Sequence, residues 1–281
     1  MINQIKIFID FLKTTIQSRK MIAAMVSSDF KVKYASSALG IVWAFVQPTV
    51  QILVLIFVFT VAFPSSPTPE GVPHTLYLVC GIIAWNFFSE ALANGSNSLI
   101  EYSYLVKKVV FRTSILPVVK TLSSLVVHCV FIILAYIVAM CFGYFPTIYS
   151  LQILYYLPCL LLIIIGINWL TSALTAFFRD ISQLITVFLQ LFVWLTPIMW
   201  QTTRINDWMI NIGSIQINLI NVFKINPMFY IVDGYRDSIT GSTWFWEKPV
   251  WTLYYLVTAF GLFVFGATIF HRLRPHFSDV L

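Results

Sequence analysis

The chain has 281 residues, 59 % of them hydrophobic and 10 % charged, with a mean hydropathy of +0.86 and a formal net charge of +6. A soluble domain of this length carries about a quarter of its residues as charges. A water-exposed globular surface is therefore excluded, and bilayer hydrocarbon is the solvent that the composition fits. Cys80, Cys129, Cys141 and Cys159 stand singly in apolar runs, with no CxxC spacing to suggest a disulfide framework or a zinc site.

At the start of the chain, Ile2, Ile5, Ile9, Leu12 and Ile16 recur at spacings of three and four, with Asn3, Lys6, Asp10, Lys13 and Gln17 on the other side. This predicts an amphipathic helix, lying in a membrane interface or packed on a protein partner. The charges leave no uninterrupted apolar core for a secretory signal. The next stretch, DFKVKYASSALGIVWAFVQP (29–48), passes from charged to apolar. It sets Lys31, Lys33 and Tyr34 just before the first hydrophobic run.

Six segments are long and apolar enough to span, over 39–63, 75–93, 116–142, 151–176, 181–200 and 251–270. With both termini on one side, that side holds 13 of the 17 Lys and Arg residues. The positive-inside rule makes it the cytoplasm. Two connections are longer than turns. The cytoplasmic one, 94–115, predicts a short amphipathic helix over 98–111. The outer one, 201–250, is apolar but broken by Gly213, Asn226-Pro227 and Gly234. It predicts short helices that dip into the outer leaflet and return. The fold class is thus an all-α polytopic membrane protein with six transmembrane helices, a single domain over 1–281. No repeat relates its two halves.

The chain contains no G-x-x-x-x-G-K-[ST] phosphate loop. Among its acidic residues only Glu90 falls within a predicted span, one turn from the cytoplasmic end. No proton relay is visible, and uphill transport would need another polypeptide to supply power. No nucleophile constellation stands out; Asp233, Arg236 and Asp237 are the residues through which a membrane-bound transferase would work. An ion-coupled flippase is the other alternative. Within the spans, Trp43, Phe45, Phe57 and Phe59, with Phe188, Phe192 and Trp194, read either as packing or as rings lining a path on which sugar faces slide. Pro48 and Pro197 predict kinks, Asp180 and Gln183 a capping box, and His128 a hydrogen-bonded interior histidine.

Several segments together resemble a family, the permease subunits of type-2 ABC exporters of lipid-linked polysaccharide or teichoic acid. KVKYASSALGIVWAFVQP (31–48) carries the basic-Tyr segment, Ser-x-Leu-Gly-x-x-Trp and a proline. LVKKVVFRTSILP (105–117), FFRDI (177–181), LTPIMW (195–200) and NPMFYIVDGYR (226–236) follow in order. The pattern departs at Arg112, where a proline is expected.

The resemblance implies a homodimer paired with two ATPase subunits. ATP and magnesium would belong to those partners, with no cofactor, metal or catalytic role in this chain and no nucleic-acid partner. The substrate would be a polysaccharide on undecaprenyl diphosphate, with O-antigen ahead of capsule and teichoic acid, crossing a bacterial inner membrane. Residues 98–111 would be the coupling helix, acting through Glu101, Leu105, Lys107 and Lys108. Residues 28–38 would be a gate helix and 201–250 an outer gate. The substrate pathway would use Lys31, Lys33, Tyr34, Trp43, Phe192, Trp194 and Arg236, with the two lysines meeting the lipid diphosphate. Plain anchoring to anionic headgroups accounts equally well for those two lysines.

Overall fold

The computed structural model describes residues 17–35, 39–64, 66–107, 111–205, 208–212 and 215–281. The amphipathic stripe expected over 2–16 and the site candidate Lys108 lie outside the described residues. Among the described residues, five helices are long and apolar enough to cross a bilayer: Gly40–Ala62, His74–Ser96, Ile115–Cys141, Ile148–Phe177 and Pro249–Val280. The segment expected to span at 181–200 forms a shorter apolar helix, Asp180–Leu195, of 16 residues.

In chain order the helices are α1 (Arg19–Ala35), α2 (Trp43–Phe57), α3 (His74–Ser96), α4 (Ser98–Glu101), α5 (Ser103–Val106), α6 (Ile115–Cys141), α7 (Ile153–Phe177) and α8 (Asp180–Leu195). After the strands β1 (Met209–Ile212) and β2 (Ile215–Asn218) come α9 (Leu219–Lys224), α10 (Pro227–Thr240), α11 (Pro249–Leu273) and α12 (Phe277–Val280). The antiparallel pairing sets Met209 opposite Asn218 and Ile212 opposite Ile215. This hairpin corrects the purely helical reading of 201–250. Its sequence, MINI and IQIN around Gly213, alternates with a period of two, which is a strand signal.

Prolines act as ends as well as interruptions. Pro48 lies inside α2, which continues through it. Pro197 does not kink α8 but ends it, because Thr196 before it turns extended (φ −82°, ψ 131°). Asn226 caps α10 by accepting from the Met228 amide, with Pro227 in the first turn. Gly241 closes α10 at φ 74°. The expected capping box at α8 does not form: Arg179 is the N-cap, without a side-chain bond. Asp180 instead sits in the first turn, where the helix dipole favours a negative charge.

α3 is the hub. It packs on α6, α7, α10, α8 and α2, and 72 % of its apolar window is buried, against 17 % for Gly40–Ala62. Two polar contacts knit the bundle at and around it. Asn168 on α7 donates through Nδ2 to the Ala91 carbonyl on α3 and to Thr121 Oγ1 on α6, both at 3.0 Å. His128, as expected, is buried and bonded, its Nε2 lying 2.8 Å from Tyr235 Oη.

The tightest crossing joins α7 to α11. A Cβ on Gly266 would stand 1.9 Å from the Gly166 carbonyl oxygen, and one on Gly166 would meet the Phe263 Cα at 2.6 Å. Backbone stands against backbone there, so no side chain can yield. Gly266→Ala should cost about 1–3 kcal/mol of stability through overpacking. Gly261→Ala, with nothing within 4 Å of its Cβ, should leave the thermal midpoint of the detergent-solubilised protein unchanged. Equal midpoints for the two variants would contradict the crossing.

Candidate functional site

Three apolar helices each carry two polar residues four apart: Gln47 and Gln51 on α2, Asn86 and Glu90 on α3, Thr186 and Gln190 on α8. That spacing stacks each pair on one helix face. All six line one cavity of about 570 Å³, together with Trp43, Trp85, Lys33 and Tyr34. Asn86 Nδ2 donates to Gln51 Oε1 at 2.8 Å across the α2–α3 gap. Polar side chains at membrane depth face a bundle interior or a wet cavity, because hydrocarbon cannot satisfy them. Apart from Glu90, these pairs escape a reading of the sequence for charges and rings. The i, i+4 recurrence of amides inside hydrophobic runs is the signal that marks them.

The expected pathway residues divide. Trp43 is 43 % exposed and lines the cavity with Lys33 and Tyr34. Phe192 and Trp194 do not line it; both are exposed on α8, and Trp194 is 65 % exposed. Leu189 and Val193, with Thr186 and Gln190, form the α8 wall instead. Lys31 is exposed on α1. Lys33 Nζ stands 2.5 Å from Glu90 Oε1 and 5.7 Å from the Tyr34 ring centroid. Burial lowers the Lys33 pKa, but Glu90 and Tyr34 outweigh it and hold the ammonium above its ordinary value. The pair is part-exposed, so its bond is weak and exchangeable.

In the connection between α3 and α6, the single helix expected over 98–111 is two short pieces, α4 and α5, parted at Tyr102. Leu99 and Val106 are buried in a core with Trp169, Phe263, Phe270 and Phe277, and Leu105 packs against it. Lys107 is exposed. Glu101 pairs with Lys120 on α6 at 2.5 Å. Lys120 also holds Asp29 of α1 at 2.6 Å, and Tyr102 Oη donates to the same Asp29 oxygen at 2.7 Å. Burial alone would raise the Asp29 pKa. Hydrogen bonds from Lys120, Tyr102 and Ser123 overcome it and hold the carboxyl below its ordinary 3.8.

Arg236 is largely buried, at the wall of a second cavity of about 250 Å³ that Asp233, Asp237 and Lys248 also line. Its Nε donates to the Tyr77 carbonyl at 3.2 Å, and its Nη2 to the Pro197 carbonyl at 2.7 Å and more weakly to that of Ile198 at 3.4 Å. The guanidinium also stacks 3.4 Å from the Tyr77 ring centroid. It satisfies carbonyls of the irregular turn that follows α8, at Pro197 and Ile198, a need that only the three-dimensional path reveals. Nearby, Lys248 Nζ is shared between Asp233 at 2.7 Å and Asp237 at 2.6 Å.

A helical membrane bundle with a polar-walled cavity and a connecting segment seated in its own core has the form of a transporter subunit. The chain belongs to the ABC-2 type transporter family, whose model matches residues 21–240. It is a multi-pass membrane subunit of an ABC transporter, the kind that works with a separate ATPase subunit. Two relatives from Klebsiella pneumoniae, each named O-antigen export system permease protein RfbA, are 24 % identical over 268 residues and 25 % over 270. Each alignment covers 93 % of this chain and 95 % of the relative. A relative of the same name from Myxococcus xanthus is 24 % identical over 221 residues, covering 78 % of this chain and 80 % of its own.

Two outcomes follow. Arg236→Lys keeps the charge but loses the fork that reaches several carbonyls. It should lower stability by about 1.5–3 kcal/mol, and an unchanged thermal midpoint would refute the clasp. Because the folded pKa of Asp29 is depressed, its contribution is fully present above 3.8 and is lost as pH falls through the lower folded value. The midpoint gap between the native chain and Asp29→Asn should therefore hold constant from neutral pH to about 5 and close only at strongly acidic pH. A gap that closes between pH 7 and 5 would contradict it.

Proposed function

We infer that this chain is the membrane-spanning permease of an ATP-driven exporter that moves O-antigen polysaccharide, linked to undecaprenyl diphosphate, across the bacterial inner membrane. It acts as a homodimer with two copies of a separate ATPase, and both of its termini are cytoplasmic. The observation that carries the mechanism is the cavity whose walls are three pairs of polar side chains and whose lining includes Lys33 of α1.

Amide and hydroxyl groups exchange hydrogen bonds with sugar hydroxyls on equal terms with water, so a glycan crosses without a large desolvation penalty. Repeated along three helices, they offer equivalent partners at successive depths, and the rings of Trp43 and Trp85 supply stacking faces. Such a wall suits a polymer that must slide. The lipid would stay in hydrocarbon beside α2 and α8. No residue of α8 is buried and α2 buries few; a second copy would cover part of those apolar faces. Lys33, aided by Lys31, would meet the diphosphate, with Glu90 as the counter-ion that the incoming anion replaces.

In this reading the segment 98–107 seats in the ATPase through Leu105 and Lys107, with Lys108 alongside. Helix α8, with the irregular stretch beyond its end up to Trp200, is the fifth of six crossings, and the 201–250 segment forms the outer gate. An ion-driven flippase would need an isolated titratable group at mid-depth; Glu90, near the cytoplasmic end, is paired instead.

Proteoliposomes holding the chain with its ATPase should export lipid-linked O-antigen only while ATP is hydrolysed. Lys33→Glu should cut export about tenfold with the ATPase still bound, since like charge repels the diphosphate. Leu105→Pro should abolish export while the membrane bundle stays folded. Uphill export by this chain alone, without any ATPase, would overturn the assignment.

A further inference from the structure

Lys120 stands near the cytoplasmic end of α6, its side chain only 12 % exposed. Two carboxylates from two other elements converge on it. Glu101 from α4 lies at 2.5 Å and is half exposed; Asp29 from α1 lies at 2.6 Å and is 9 % exposed. The Tyr102 ring centroid sits 5.1 Å from the same ammonium, and its hydroxyl donates to Asp29. A cation held this deep cannot part from its anions without leaving an uncompensated charge. It therefore follows whichever carboxylate moves, and draws the other with it.

Asp29 and Lys33 are one helical turn apart on α1, so they share a face. Lys33 lines two cavities. One is the polar-walled cavity, where Lys33 meets Glu90. The other, of about 450 Å³, is also lined by Asp29, Glu101, Tyr102 and Lys120. A continuous run of charges thus leads from Glu101 at the cytoplasmic surface, through Lys120 and Asp29, to the Lys33–Glu90 pair at the cavity mouth.

We propose that Lys120 is a positioning residue that joins the ATPase-facing segment to α1, so that displacement of Glu101 is passed through Asp29 to the Lys33–Glu90 pair. The proposal rests on the reading of 98–107 as the surface that meets the ATPase. Glu101 is the accessible end of the run, and Asp29 is its sheltered end. Lys120 touches no substrate in this scheme; it keeps two moving elements in register.

The test uses the complete complex with its ATPase in proteoliposomes. Three quantities are measured: ATP turnover, polymer exported per ATP, and reactivity of Lys33 toward an amine-specific reagent, read by mass spectrometry with and without ATP and vanadate. Exposed Lys31 on the same helix is the internal reference. In the native complex, Lys33 reactivity should change on nucleotide trapping. Lys120→Gln should keep ATP turnover, lose about tenfold in polymer per ATP, and lose the nucleotide-dependent change at Lys33. Lys120→Arg, which can still grip both carboxylates, should restore both readouts. Should Lys120→Gln fail to assemble, Glu101→Gln, at the half-exposed end, should give the same loss in milder degree. Native export per ATP in either glutamine variant, or an intact nucleotide response at Lys33, would overturn the proposal while leaving the exporter assignment standing. Absence of ATP-dependent export in the native complex would overturn the exporter assignment instead.

Discussion

A polar group inside hydrocarbon must find a partner within the protein, and most of this molecule's distinctive contacts answer that demand. Asn168 reaches two helices at once. His128 and Tyr235 meet in a ring-lined interior. Arg236 takes carbonyls of the turn that follows α8, and Lys120 gathers two acids. Each contact joins elements distant in sequence, so satisfying one group also fixes the relative placement of two or three helices. The polar-walled cavity is the exception. There the amides have few protein partners, which leaves them for water or a hydroxyl-rich cargo.

The long apolar segments were legible because an unbroken run of about twenty hydrophobic residues matches the thickness of bilayer hydrocarbon. Five of the expected spans recur, four with ends shifted by a few residues and the last running ten residues further, to Val280. The shorter α8 was foreshadowed by Pro197, whose effect on Thr196 is local steric chemistry. The hairpin at 209–218 was also written locally, as alternation rather than helical period, but its isoleucine-rich composition resembled a membrane helix. The break at Tyr102 was not readable: Leu99 and Val106 bury their side chains in a core built from α6, α7, α11 and the C-terminal turn, Leu105 packs against it, and tertiary packing sets that geometry.

The candidate site divides along the same line. Lys33, Tyr34 and Trp43 were found because charge beside hydrophobicity is visible in one dimension. The polar pairs on α2, α3 and α8 were equally present at a spacing of four, yet only a fold shows that the three helices turn those faces toward one another. Arg236 illustrates the opposite case. Its place before the last span suggested contact with substrate; the fold adds hydrogen bonds to backbone carbonyls of this chain, which one dimension could not show. A lone arginine in a membrane sequence does not reveal whether it serves cargo or scaffold.

The glycine contact between α7 and α11 divides the bundle mechanically. Where peptide groups touch with no side chain between them, no rotamer change can create slack, and the two helices behave as one stiff beam carrying α3 through Asn168. The compliant parts are α2 and α8, which bury few side chains and bound the cavity on its open flank. Widening the cavity would therefore be a hinged motion of these two staves against a fixed stator, with the bore growing on one side only.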